Sequence, residues 1–155
     1  MAEISRECVE LARTRFHLDD EALVFEQRTG NDPALVLGDP DELKAAISNL
    51  IDNAVKYSVG TVRVRVTLES MGPQGLAIRV SDRGVGISQE ELKRVFRRFY
   101  RVPASVAMRA KGSGLGLFIV RSVARRHGGK AFAESEGAGR GSTFTLLLPR
   151  PPEPA

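Results

Sequence analysis

The sequence predicts an α+β fold: a two-layer sandwich with helices on one face of a mixed, mainly antiparallel sheet. Three observations carry this. Segments with a two-residue apolar period alternate along the chain with segments of helical period. The strand-like segments are apolar on one side and polar or charged on the other, as in a sheet covered on a single face. The helix-like segments each carry one apolar stripe, which must be buried against another layer.

Residues 2–17 suit a helix, with Ile4, Cys8, Leu11 and Ala12 on one side and several charges on the other. Leu23–Thr29 and Ala34–Leu37 read as two short strands joined by the turn residues Gly30, Asn31, Asp32 and Pro33. The helix Asp39–Tyr57 is the strongest element. Asp39 is a good N-cap, Pro40 suits the first helical position, and Glu42 completes a capping box. Leu43, Ala46, Ile47, Leu50, Ile51 and Ala54 form its apolar face. Asn49, Asn53, Lys56 and Tyr57 form a second stripe along the border of that face, where a pocket could open. Asparagine is a poor helix former, so two of them one turn apart were not placed there for propensity.

Thr61–Leu68 alternates, with Val62, Val64, Val66 and Leu68 inward and Arg63, Arg65 and Thr67 outward. Met71–Gly75 is a turn, and a second strand starts at Leu76. Leu76, Ile78 and Val80 share a face whose next member is Asp82. A buried unpaired acid is expensive, so Asp82 needs a dedicated hydrogen-bond partner. Ser88 caps a short helix running to about Phe96, with Glu91 closing its box. Periodicity then vanishes from Arg97 to Lys111, a basic stretch of the length usually kept for functional loops. Leu115–His127 is a helix ended by Gly128 and Gly129, with Arg125, Arg126 and His127 in its last turn. Strands Lys130–Ser135 and Ser142–Leu148 close the fold, and the tail from Pro149 is expected to be disordered.

At 155 residues the chain is one domain, with 42% hydrophobic and 27% charged residues. Its single cysteine, Cys8, excludes an internal disulfide and fits a reducing compartment. No stretch is long enough for a membrane span, and no signal-peptide pattern is present. The net charge of +4 favours an anionic partner, whether nucleic acid, an acidic membrane surface or a nucleotide's phosphates, and composition does not choose among them.

Three clusters accompany the asparagine helix. Asp82-Arg-Gly84-Val-Gly86-Ile87 follows a strand, Gly112-Ser113-Gly114-Leu115-Gly116-Leu117 precedes a helix, and Phe96-Arg-Arg-Phe99-Tyr100-Arg101 opens the basic loop. A glycine-rich turn feeding a helix N-terminus can bind an anion through free N–H groups and the helix dipole. The spacing is neither that of a P-loop nor that of a dinucleotide fingerprint.

In their order and spacing these motifs resemble the catalytic, ATP-binding domain of sensor histidine kinases, in the superfamily that also holds DNA gyrase, Hsp90 and MutL. Asn49–Tyr57 resembles the family's asparagine box, Asp82–Ile87 and Gly112–Leu117 its two glycine boxes, and Phe96–Arg101 its phenylalanine box. His127-Gly-Gly and Gly141-Ser-Thr-Phe144 are also similar to its C-terminal third. The resemblance runs from about Leu23 to Pro149. It implies a Bergerat-type ATP-binding fold over residues 21–150, with ATP and Mg²⁺ as cofactors. Asp82 would accept from the adenine amino group, and Gly84 and Gly86, with Ile87, would let the backbone pass close to the base. Tyr57 would lie against the adenine, and Asn53 would be a metal ligand. Asn49 would sit near metal and phosphates, Lys56 and Arg101 would contact phosphate, and Gly112, Ser113, Gly114, Leu115, Gly116 and Leu117 would cradle it. Arg97–Lys111 would be a lid. Ser113 stands where threonine is frequent.

The resemblance further implies transfer of the γ-phosphate to a histidine on a separate dimerisation domain, with a response regulator downstream and no nucleic-acid or membrane contact by this domain. His17 and His127 lack the context of a phosphoacceptor. Residues 1–20 would be a remnant of, or linker to, that helical domain. The isolated domain would be monomeric and cytoplasmic, with room for a membrane-anchored parent. Two enzymatic alternatives remain: a serine kinase of the anti-sigma-factor type, and an ATPase of the gyrase or Hsp90 kind. The ATPase needs a glutamate one turn before the metal-binding asparagine to activate water, and Asn49 lacks that basicity. A non-catalytic nucleotide sensor or basic nucleic-acid binder ranks last, because no aromatics interleave with the basic residues.

Overall fold

The computed structural model describes residues 1–100 and 114–154. In chain order the elements are α1 (Ala2–Phe16), β1 (Leu23–Arg28), α2 (Pro40–Lys56), β2 (Val64–Ser70), β3 (Leu76–Asp82), α3 (Gln89–Leu92), α4 (Gly116–Arg126), β4 (Lys130–Glu134) and β5 (Ser142–Leu148). The sheet order is β1-β2-β3-β5-β4; only β1 and β2 run parallel, with α2 in the connection between them. The mixed, mainly antiparallel sandwich expected from the sequence is the fold observed.

Alternation explains where the core sits. Val64, Val66 and Leu68, then Leu76, Ile78 and Val80, then Phe144, Leu146 and Leu148 are all buried, and Ile47, Leu50, Ile51, Val120 and Val123 join the same cluster from α2 and α4. The opposite face of the same strands is polar. There Arg79 Nε donates to Glu69 at 3.0 Å, and the Ser81 and Thr143 hydroxyls pair across strands at 2.9 Å.

Local departures from the sequence reading have identifiable causes. Ala34–Leu37 forms no strand. Asp32 Oδ1 accepts the Ala34 N–H at 2.9 Å in an Asx-type turn, and Ala34 adopts φ 55°, which breaks an extended run. Strand β1 pairs with β2 instead, Leu23 lying opposite Val64, and β2 accordingly starts at Val64 rather than Thr61. Helix α1 buries Ser5, Cys8, Val9 and Ala12 and leaves Leu11 58% exposed, so its inner face is rotated from the one expected. Helix α3 ends at Leu92, and Lys93–Phe96 continue as turns. The tail expected to be disordered is held at Arg150, which donates to Gly72 O at 2.7 Å and Ser70 Oγ at 2.9 Å and pairs with Asp32.

Candidate functional site

Helix α2 is built as the sequence dictates. Asp39 Oδ1 accepts the Asp41 and Glu42 N–H groups at 2.8 and 3.3 Å, Pro40 opens the helix, and Tyr57 closes it. Leu43, Ala46, Ile47, Leu50, Ile51 and Ala54 are all buried, as expected. The polar border stripe is graded. Asn49, Asn53 and Tyr57 are half-buried, while Lys56 is exposed at the helix end.

Both glycine clusters lie against this helix. Gly84 leaves no room for a side chain: a Cβ there would lie 2.1 Å from the Tyr57 carbonyl oxygen, which also accepts the Val85 N–H at 3.2 Å. Gly116 is the counterpart on α4, where a Cβ would come within 3.3 Å of Asn49 Oδ1. Gly86 has φ 71° and a site for Cβ only 2.0 Å from the Gly137 carbonyl. The close approach that Gly84 and Gly86 permit here is to protein backbone. Residues 83–87 are tied to the β4–β5 turn by Gly139 N–H to Val85 O at 2.7 Å, Gly141 N–H to Gly84 O at 3.2 Å and Ile87 N–H to Ser135 Oγ at 3.0 Å. Ile87 itself is buried.

Asp82 is 8% exposed at the end of β3. Its partners are the Gly84 N–H, donating to Oδ1 at 2.8 Å, and the Ser142 hydroxyl, donating to Oδ2 at 2.8 Å. Burial pushes the carboxyl above the usual carboxylate range, against the opposing pull of the Gly84 and Ser142 hydrogen bonds. The Ser142 backbone N–H also bonds this carboxylate, which still keeps acceptor capacity for one further donor. The sequence demanded a partner for Asp82 without identifying it. The β3–β5 register places Ser142 directly opposite; the only sequence signal was the Gly141–Phe144 motif, which carried no assigned role.

Helix α4 begins after Leu115 with no side-chain cap, and among the described residues no acid occupies its first turn, so its N-terminus offers N–H groups to an anion. Gly114 (φ 75°) and Leu115 lead into it, and Leu117 packs partly buried against the core. Of the phenylalanine cluster, Phe96 is buried with its ring edge-on to Phe144 at 6.0 Å, and Phe99 is 61% exposed with Arg98 stacked on it. The Phe99 N–H donates to Gly114 O at 3.0 Å, and a Cβ on Gly114 would meet the Phe99 backbone at 2.7 Å. Arg101, Gly112 and Ser113, with residues 101–111 of the expected lid, lie outside the described residues.

Asn49, Asn53 and Tyr57 thus line one side of a region whose other sides are Asp82–Gly86 and the start of α4. Such an arrangement can hold a flat polar base at Asp82 and an anion at α4.

Residues 38–152 match the family described as histidine kinase-, DNA gyrase B-, and HSP90-like ATPase. The chain is 43% identical over 119 residues to the sensor-like histidine kinase SenX3 of Mycolicibacterium smegmatis, which covers 77% of this chain and 30% of SenX3. Among solved structures it is similar to the mycobacterial sensor histidine kinase MprB, with a TM-score of 0.79, 33% identity and coverage of 98% of this chain and 96% of that one. It is also similar to the ATP-binding domain of PrrB from Mycobacterium tuberculosis, with a TM-score of 0.69, 27% identity and coverage of 97% and 93%. The chain spans less than a third of the length of the curated relatives it matches.

Proposed function

The chain belongs to the family of histidine kinase-, DNA gyrase B-, and HSP90-like ATPases, and from that premise we propose that it binds Mg·ATP and passes the γ-phosphate to a histidine on a separate dimerisation domain of a two-component kinase. The observation that carries this reading is one juxtaposition: the asparagine stripe of α2 lies against both glycine clusters, Tyr57 at Gly84 and Asn49 at Gly116. The base sits at Asp82, whose remaining acceptor capacity takes an adenine amino hydrogen, with Tyr57 flanking it. The triphosphate runs toward the α4 N-terminus, where Gly112–Leu117 supply N–H donors and Lys56 and Arg101 supply charge.

Among the described residues no cluster of three or more His, Cys, Asp or Glu could hold a metal. Asn53 would give a Mg²⁺ that arrives on the phosphates a single protein oxygen, with Asn49 nearby. Bound there, Mg²⁺ neutralises phosphate charge. Phosphoryl transfer needs positioning and charge neutralisation more than covalent chemistry from the protein. Asn49 has no basicity to activate water, so the phosphoryl group waits for an outside acceptor. The domain acts as a monomer on the cytoplasmic side, and a response regulator receives the phosphoryl group downstream. Among the described residues no helix is long and apolar enough to cross a membrane.

The test mixes the domain with candidate acceptor domains and γ-labelled ATP. Acid-labile label on the acceptor, absent with Asn53→Ala, is expected. Label on serine, or rapid phosphate release by the domain alone, would overturn the reading in favour of a serine kinase or an ATPase.

A further inference from the structure

A capping box needs an acceptor for the N-cap backbone N–H, normally the side chain at N3. In α2 that side chain, Glu42, turns away to Arg126, 3.1 Å from its Nη2. The Asp39 N–H donates instead to His127 Nε2 at 3.1 Å, so the box is completed by the residue that ends α4. The other ring nitrogen, Nδ1, lies 2.8 Å from the Val123 carbonyl oxygen. An amide N–H can only donate and a carbonyl can only accept. The ring is therefore neutral, with its proton on Nδ1 and its lone pair on Nε2. Its side chain is 6% exposed, and Gly38 is required beside it, since a Cβ there would lie 2.3 Å from the ring.

We propose that His127 is a positioning residue for the nucleotide site: through Asp39 it fixes where α4 stands along α2. Helices α2 and α4 pack on each other, and the side chains they bury are aliphatic groups with few directional constraints. A directional hydrogen bond at one end sets a register that such a surface leaves loosely defined. At the other end of the same helix pair Asn49 faces Gly116, about 15 Å from Asp39 along α2. A shift of about 1 Å there moves the asparagine stripe against the phosphate-binding turn and is enough to matter. Beside the ring, Glu42 Oε2 lies 3.9 Å from Nδ1 and is itself paired with Arg126.

This inference rests on the nucleotide-binding reading. The test compares the wild-type chain with His127→Gln, which keeps an acceptor near Nε2, and with His127→Leu and Gly38→Ala, which remove or displace it. Magnesium with a non-hydrolysable ATP analogue is titrated into each, and the Asn49 and Asn53 side-chain amides and the His127 ring nitrogens are followed by NMR. The expected results are an Nδ1–H tautomer, about tenfold weaker binding with shifted Asn49 and Asn53 signals in the Leu and Gly38 variants, and recovery of both in His127→Gln. Wild-type affinity and unshifted asparagine signals in folded His127→Leu or Gly38→Ala would overturn the inference, as would an Nε2–H tautomer. A wild-type chain that binds no nucleotide would overturn the functional reading itself, and this inference with it.

Discussion

Replacing Asp82 with asparagine separates what the carboxylate costs the fold from what it gives the site. The amide has the same shape. Its oxygen can accept the Gly84 N–H in place of Oδ1, and its nitrogen can donate to Ser142 Oγ in place of Oδ2. What disappears is a carboxylate that is 8% exposed, with a carboxyl pushed up by burial. The folded protein holds that proton to higher pH than the unfolded chain, so its contribution to stability is full in acid and is lost as pH rises through the folded value. The variant lacks this loss. Its melting temperature should exceed that of the wild type at neutral pH, with the gap closing in acid. Nucleotide affinity should move the opposite way. Hydrogen bonds to charged groups contribute about 1.5–3 kcal/mol and neutral ones about half as much. The exchange therefore removes about 0.75–1.5 kcal/mol, or about four- to thirteenfold in affinity. Calorimetric titration with ATP and thermal melts across pH read both effects. Unchanged affinity would refute the adenine assignment, and a lower melting temperature at neutral pH would refute the argument from burial.

Asn53→Ala puts a better helix former at a half-buried position, so melting should be unchanged or slightly raised, while phosphotransfer to the acceptor should fall at least about a hundredfold in radiolabel assays. Gly84→Ala drives a methyl group into the Tyr57 carbonyl. Overpacking against unyielding backbone should cost about 3 kcal/mol, a fall of about 6–12 °C in melting temperature for a chain of this size. Asp32 is held well below the usual carboxylate range by Arg150, Ser70 and the Ala34 N–H; Asp32→Asn should lower the melting temperature at neutral pH, with the difference vanishing as acid protonates the wild-type carboxyl.

Much of this was legible in the sequence because it is written locally. Asp39 and Pro40 announce the start of α2, the two-residue period of Leu76–Val80 places Asp82 inward, and the asparagine stripe borders the apolar one at helical spacing. The features that escaped are set between distant segments. Ala34–Leu37 has strand-like residues, but the turn at Asp32 commits Ala34 to positive φ. Nothing near Leu23 shows that its partner strand begins at Val64. Ser142 becomes the partner of Asp82 only through the β3–β5 register. His127 was legible as a helix end, but its bond to Asp39 crosses 88 positions. Leu11 and Val9 exchange roles in α1 because packing against α2 and β1, rather than the helix's own pattern, decides which face turns inward.

The backbone bond from Phe99 to Gly114 carries a consequence for how relatives of this domain can diverge. It closes the chain on itself at the threshold of the site, and the contacts of Asn49 with Gly116 and of Asp82 with Gly84 and Ser142 are made among the described residues. A chain that leaves and returns at one point can change length at small cost, about 0.6 kcal/mol for each doubling. A loop from another kinase, longer or shorter, should graft between Phe99 and Gly114 without disturbing the melting behaviour of the rest, provided that the glycine stays.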